Sequence, residues 1–152
     1  MNTSVSAGQL FNTSVGETWK TIADIESYPD RTSSYTEINL INNHLSGLGA
    51  RWRLTRTVWG RVHTQTMEVV EWEPTTSMTL RGAEAGTEYE TRYLFVPVDD
   101  GTEVKATFTV TPTNIYGRAV VRLMGKKLMA SSREALADIL AELSASSGSS
   151  EA

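Results

Sequence analysis

The chain has no cysteine, and only two histidines and four prolines among 152 residues. Without cysteine there are no disulfides, no thiolate nucleophile and no Cys-ligated zinc. His44 and His63 lie far apart along the chain. No His/Asp/Glu cluster has ligand spacing, so neither a metal nor another cofactor is expected. No apolar run approaches the roughly 18 residues a membrane helix needs. The amino terminus lacks the basic and then apolar pattern of a secretory leader. These absences set the expectation of a cytoplasmic protein with no stable membrane insertion. Basic residues are outnumbered 14 to 18, for a net charge of −4, which argues against a nucleic-acid partner. A Gly-x-Ser-x-Gly elbow is also missing. Gly47-x-Gly49 is a turn signal, and Gly125-Lys126-Lys127 lacks the glycine spacing of a phosphate loop. What remains is an ordinary globular composition, 39% hydrophobic and 21% charged, in a chain long enough for one core.

The most informative stretch is 52–70, two alternating segments joined across Gly60-Arg61. A two-residue turn there, glycine first, pairs Val58 with His63, Leu54 with Met67 and Trp52 with Val69. One face then carries Trp52, Leu54, Arg56 and Val58 with His63, Gln65, Met67 and Val69. The other carries Arg53 opposite Glu68, Thr55 opposite Thr66 and Thr57 opposite Thr64. Opposed charges and paired threonines suit a solvated sheet surface. A second turn at Pro74-Thr75 sets Val69 opposite Leu80, Glu71 opposite Met78, and a ladder Arg53–Glu68–Arg81. The apolar face thus also carries Arg56, His63, Gln65 and Glu71. That mixture suits a cavity wall better than a dry core; the plain alternative is that these groups reach water at the strand ends.

Along the chain, 3–11 alternates as a strand, with Val5, Ala7, Gln9 and Phe11 on one face. Ser14 and Glu17 have capping-box spacing, predicting a short helix to about residue 24 that buries Val15, Trp19 and Ile22. Tyr28-Pro29-Asp30 breaks or restarts helix. Strands follow over 33–42, over the two hairpin segments, and over 76–82. After a loop at 83–86, 87–98 alternates with Tyr89, Thr91, Tyr93 and Phe95 inward. Asp99-Asp100-Gly101 is a hairpin turn, and 103–111 places Val104, Ala106, Phe108 and Val110 inward. From 114 to about 143 the period becomes helical, with Val121, Met124, Leu128, Ser132, Leu136, Ile139 and Leu143 on one stripe. Its first residues, around Ile115-Tyr116-Gly117, form a loop or a loose first turn. The expected organisation is one domain over 1–143 and a disordered tail over 144–152.

In this order of elements the chain resembles the START-like, helix-grip (SRPBCC) superfamily, especially its polyketide cyclase/dehydrase and lipid-transport branch. The resemblance spans about 3–143. It rests on Phe11-x7-Trp19 with Ile22-Ala23-Asp24, Tyr28-Pro29, Gly47-x-Gly49-Ala50-Arg51, Val69-Val70-Glu71-Trp72-Glu73-Pro74, Tyr93-x-Phe95-x-Pro97, Gly101-Thr102-Glu103-Val104 and the last helix. It implies an α+β fold: a curved seven-stranded antiparallel sheet wrapped around a long C-terminal helix, with two short helices between strands 1 and 2. It also implies a cavity for a hydrophobic small molecule between sheet and helix. The mouth would lie near Val58 to Val62, the 83–86 loop, and Ile115 with Tyr116. These motifs are scaffold, and no catalytic motif of a relative carries over residue by residue.

Candidate chemistry therefore comes from the inward polar set. His63 is the natural proton carrier, and Arg56 could clamp a carboxylate, a phosphate or an enolate oxygen. The bland alternatives are a solvated histidine by a turn and an arginine that snorkels or pairs with Glu71. Gln65 could orient a carbonyl, while Tyr89 and Tyr93 offer hydroxyls or simply fill the core. The expected lining adds Trp52, Leu54, Val58, Met67, Leu80, Thr91, Phe108, Tyr116, Met124 and Leu128. Arg118, Arg122, Lys126, Lys127 and Arg133 form either a solvated flank or a dock for a membrane surface or an acidic partner, an acyl carrier protein among the candidates. Two function classes result: an enzyme promoting cyclisation or dehydration of a polyketide-like or lipid-like guest, or a non-catalytic carrier or sensor of a hydrophobic metabolite. A protein-interaction module is disfavoured, because Trp59 alone makes no patch.

Overall fold

Two-residue alternation builds strands and 3.6-residue periodicity builds helix, and the chain switches between them as the residues dictate. The computed structural model describes residues 3–33, 35–42, 47–58, 60–84 and 86–149. Its strands are β1 (Thr3–Phe11), β2 (Tyr35–Leu40), β3 (Arg51–Val58), β4 (Arg61–Glu73), β5 (Ser77–Glu84), β6 (Thr87–Val98) and β7 (Gly101–Pro112). They form one sheet in the order β1-β7-β6-β5-β4-β3-β2, all antiparallel. The first two strands in sequence thus occupy opposite edges. Between them run α1 (Val15–Ala23), a 3-10 turn (Ile25–Ser27) and α2 (Tyr28–Arg31), and the chain ends in α3 (Ile115–Ser149). α3 packs chiefly on β1, then on β7, α1 and α2. It therefore covers one side of the inner sheet face and leaves β3 to β5 facing a gap.

Ser14 caps α1 by accepting the Glu17 N–H at 3.2 Å, satisfying one of the donors every helix start leaves unpaired. Trp19, Ile22 and Ile25 are buried. The Trp19 ring meets Trp72 edge-on at 5.0 Å and Phe95 at 5.1 Å. The Ile22 carbonyl, near the helix end, accepts the hydroxyl of the fully buried Tyr28. Helix and sheet are tied together by this packing.

The β3–β4 register departs from expectation by two residues. Val58 pairs with Arg61, Arg56 with His63, Leu54 with Gln65 and Trp52 with Met67. The turn therefore contains Gly60, in the left-handed region at φ 76°; the expected partner Trp59 lies outside the described residues. A slip of two preserves side-chain parity, so each residue keeps its face and changes its partner. Arg51, not Arg53, opposes Glu68 and binds it at 3.0 Å. Thr55 meets Thr64, hydroxyl to hydroxyl, at 3.3 Å. The charge ladder runs Arg51–Glu68–Arg81.

Across β4–β5 the pairs Val69–Leu80 and Glu68–Arg81 form as expected, and then a bulge at Val70 shifts the register. One extra residue reverses the parity beyond it. Glu71 consequently opposes Thr79 rather than Met78 and leaves the inner face, while Trp72 opposes Met78. The turn falls at Pro74-Thr75, closed by Thr76 N–H to the Glu73 carbonyl at 2.9 Å.

Three boundaries are corrected. β5 runs on to Glu84, because Arg81 to Glu84 find partners in Thr87 to Glu90, so of the expected 83–86 loop Gly86 remains outside the strands, and 85 lies outside the described residues. α3 is regular from Ile115: Asn114 Oδ1 accepts the Gly117 N–H at 2.8 Å. Gly117 is required there, since a Cβ would sit 1.9 Å from the Gly86 carbonyl oxygen. At the other end α3 continues past 143 to Ser149, so 144–149 is helix and not a disordered tail. Its polar residues have partners: Ser144 donates to the Leu10 carbonyl at 3.2 Å, and buried Ser147 meets Thr13 at 3.1 Å. Residues 150–152, like 43–46 with His44, lie outside the described residues.

Candidate functional site

Between α3 and the inner face of β3 to β7 lies a cavity of about 600 Å³, a size typical of small-molecule sites. Parity decides its walls. Leu54 and Arg56 come from β3; Arg61, His63, Gln65 and Met67 from β4; Leu80 from β5. Tyr89, Thr91 and Tyr93 of β6 and Phe108 of β7 continue the wall, and Leu128 of α3 closes it. Tyr89 and Phe108 stack at 5.8 Å with an 11° interplanar angle, giving a flat aromatic surface.

Some expected residues are placed elsewhere. Trp52 is buried but lines a separate depression beside Trp19 and Trp72, on the α1 side. Tyr116 and Met124 are exposed and do not line the cavity. They sit on the first turns of α3, where Gly117 packs against Gly86 and Thr87 and their own side chains face solvent. The side chain of Val58 lies outside the described residues. Glu71 is on the outer face, bonded to Thr79 at 2.7 Å and to Arg92 at 3.1 Å, so it is no partner for Arg56.

Other lining residues escaped the sequence reading. Arg61 was assigned to the turn, and the two-residue slip moves it into β4, facing inward. Tyr28 and Tyr35 enter from α2 and β2, their rings 5.8 Å apart; Tyr28 gave no signal beyond a helix break. Ser131 and Ser132 bring small polar groups from α3. Ser132, a serine on an apolar stripe, was the one visible hint.

The polar groups divide the cavity into two regions. At the hairpin end, Arg56 and His63 are directly opposed, with Arg61 two residues from His63 on the same strand. His63 is exposed, while Arg56 and Gln65 are half-buried. Deeper, Tyr93 and Tyr28 are buried with their hydroxyls side by side. Burial first pushes both far above the usual tyrosine range, followed by Tyr93 and Tyr35 for Tyr28 and by Tyr35 for Tyr93; the hydrogen bond with Tyr28, and then Arg56, pull Tyr93 the other way. Both stay protonated at neutral pH and act as hydrogen-bonding groups, not bases. Among the described residues no carboxylate lines the cavity, and no three His, Asp or Glu side chains converge as a metal site. Nor is any described helix long and apolar enough to cross a membrane.

A seven-stranded sheet gripping one long helix around a cavity defines the Bet v 1-like helix-grip class. Residues 2–145 match the family described as polyketide cyclase / dehydrase and lipid transport, and the chain belongs to it. Among curated protein sequences none matches. Among solved structures, TTHA0849 from Thermus thermophilus aligns at TM-score 0.79 and 19% identity, covering 99% of this chain and 100% of that one. The Zhui aromatase/cyclase from Streptomyces sp. R1128 aligns at 0.78 and 15%, covering 97% and 94%. Ara h 8.0201 aligns at 0.69 and 10%, covering 98% and 99%. At these identities the likeness is one of fold.

Proposed function

We propose that this protein takes an apolar or aromatic small molecule into the cavity and promotes its cyclisation or dehydration. The observation that carries this reading is a lining that is mostly aromatic and aliphatic yet holds one titratable base beside a guanidinium. Family membership and the likeness to an aromatase/cyclase support it. His63 would take a proton from carbon between two carbonyls. Arg56, directly opposite, and Gln65 would hold the enolate oxygen as charge develops. Tyr89, Phe108 and Met67 would fold the chain so that the enolate carbon meets a second carbonyl. The protonated His63 would then give that proton to the alkoxide formed on the second carbonyl; for dehydration it would take a second proton from the same carbon and deliver it to the hydroxyl as the C–O bond breaks and water leaves.

A carrier is the second reading, favoured by the exposure of His63 and by a buried interior whose phenols cannot act as bases. Nile red, a neutral dye, tests the cavity itself. Thr91→Trp fills it from β6 and should weaken dye binding about tenfold or more, roughly 1.4 kcal/mol, with the circular dichroism spectrum retained. Unchanged binding would mean the dye sits elsewhere and the cavity reading is wrong. Turnover of a poly-β-ketone thioester separates the two readings. In an enzyme, His63→Ala should lower kcat about 100-fold or more while dye affinity holds; a carrier shows no turnover in either protein.

A further inference from the structure

We infer that the guest is an amphipathic acid, its carboxylate or phosphate held by Arg56 and Arg61 at the hairpin end of the cavity. The inference rests on the binding reading above and adds the charge of the ligand. On the sheet's outer face, Arg51 binds Glu68 at 3.0 Å, Arg81 binds Glu88 at 3.2 Å and Glu90 at 3.1 Å, and Arg92 binds Glu71 at 3.1 Å. Arg53, the fourth outer arginine, faces Thr66 and open solvent. Inside, the pattern is reversed. Arg56 and Arg61 line the cavity with His63; among the described residues no carboxylate lines it with them, and neither arginine has an ion pair or hydrogen bond. For Arg56, half-buried, a guanidinium without a partner is costly, and an anion from solution relieves that cost; Arg61, exposed beside it, adds a second positive charge. Its fork offers paired donors to a carboxylate or phosphate, and the low-dielectric walls strengthen the attraction.

The rest of the protein opposes this sign. A chain of net charge −4 repels anions at long range, so a basic cluster at the cavity is local and set against the overall field. Beyond the arginines the walls are apolar: Leu54, Met67, Leu80, Tyr89, Phe108 and Leu128. A molecule that satisfies both regions has one acidic end and an extended apolar body. The acid comes either as a free carboxylic acid or as a phosphate monoester, such as one on a carrier arm entering from the mouth.

Displacement of Nile red by decanol, decanoate and decyl phosphate, which share one tail, tests this. One or both acids should displace the dye about tenfold more tightly than decanol does, the worth of a charge-assisted hydrogen bond. That preference should shrink at high salt and fall roughly fivefold in Arg56→Gln and in Arg61→Gln. Arg61 is exposed at the strand start, so its variant should fold even if Arg56→Gln does not. Stronger binding of decanoate identifies a carboxylate guest; stronger binding of decyl phosphate identifies a phosphate one. Equal displacement by acid and alcohol, or a preference that survives both substitutions, overturns the inference while leaving the cavity reading intact. Failure of Nile red to enter the cavity overturns the binding reading and this one with it.

Discussion

The two faces of the central strands use the same residue types to opposite ends. On the outer face, arginine and glutamate alternate across β3, β4, β5 and β6, and ion pairs of 3.0 to 3.2 Å join them. Threonines fill the spaces, as in the Thr55–Thr64 contact at 3.3 Å. These groups are partly exposed, and water competes for every one, so each pair adds little stability. On the inner face Arg56, Arg61, His63 and the tyrosines have no carboxylate among the described residues that line the cavity with them. There the deeper groups, Tyr28 and Tyr93, are buried among apolar walls, while Arg56 is half-buried and Arg61 and His63 stand at the exposed end. The outer face pairs most of its charges in the free protein, whereas the inner one leaves Arg56 and Arg61 for a guest. Side-chain parity separates these two environments, since neighbouring residues on one strand belong to opposite faces; Thr57, at the hairpin end, is the exception that also lines the cavity.

The sharpest way to probe the difference is alkaline titration. Tyr28 and Tyr93 ionise far above the usual tyrosine range when folded, burial being the main cause. In the unfolded chain they ionise near pH 10. Their folded values are raised, so the stability they support is complete below about pH 10 and is lost as pH rises toward the folded values. Each should cost about 1.4 kcal/mol per pH unit over that window. Denaturant unfolding between about pH 9 and 11.5 should therefore show a steep fall for the wild type. In Tyr93→Phe the slope should be less steep by one tyrosine's share. Parallel slopes would show that Tyr93 is not sealed from water, and the inner face would lose its distinction.

How far could these two faces be seen in the linear chain? The alternation from Trp52 to Met67 assigned Leu54, Arg56, His63, Gln65 and Met67 to one side, and all five share a wall of the cavity. That assignment survived a two-residue slip because parity is unchanged by an even shift. The partners did not survive. Arg53 and Arg51 are equally good partners for Glu68, so charge complementarity could not choose between two registers. Glu71 was misplaced because a bulge has no periodic signal: Val70 is a typical strand residue, and only the pairing around it shows that it stands unpaired. Tyr116 and Met124 were misplaced for another reason. Periodicity gives the direction a helical residue points, but not what lies opposite: Gly117 is the residue of the first turn that meets Gly86 and Thr87, while Tyr116 and Met124 face solvent. Tyr28 and Tyr35 were missed as lining residues because their place in the wall depends on how α2 and β2 approach α3, which is set by tertiary packing.

The smallest expected effect lies on the outer face, and it tests whether the faces are independent. A hydrogen bond from Thr79, and then one from Arg92, lower the Glu71 pKa below the usual carboxylate range. A lowered folded value means that its contribution is present above the unfolded pKa, near 4.3, and fades as pH falls through the folded one. Both Glu71 and Arg92 remain well exposed, so Glu71→Gln should cost less than about 1 kcal/mol at neutral pH. The gap between variant and wild type should close as pH falls through the lowered folded value, and narrow in strong salt. Nile red affinity should stay where it was, since Glu71 points away from the cavity. If this substitution weakened dye binding as much as a change at Arg56, the bulge at Val70 would be transmitting strain through β4, and the division of labour between the faces would fail at that strand.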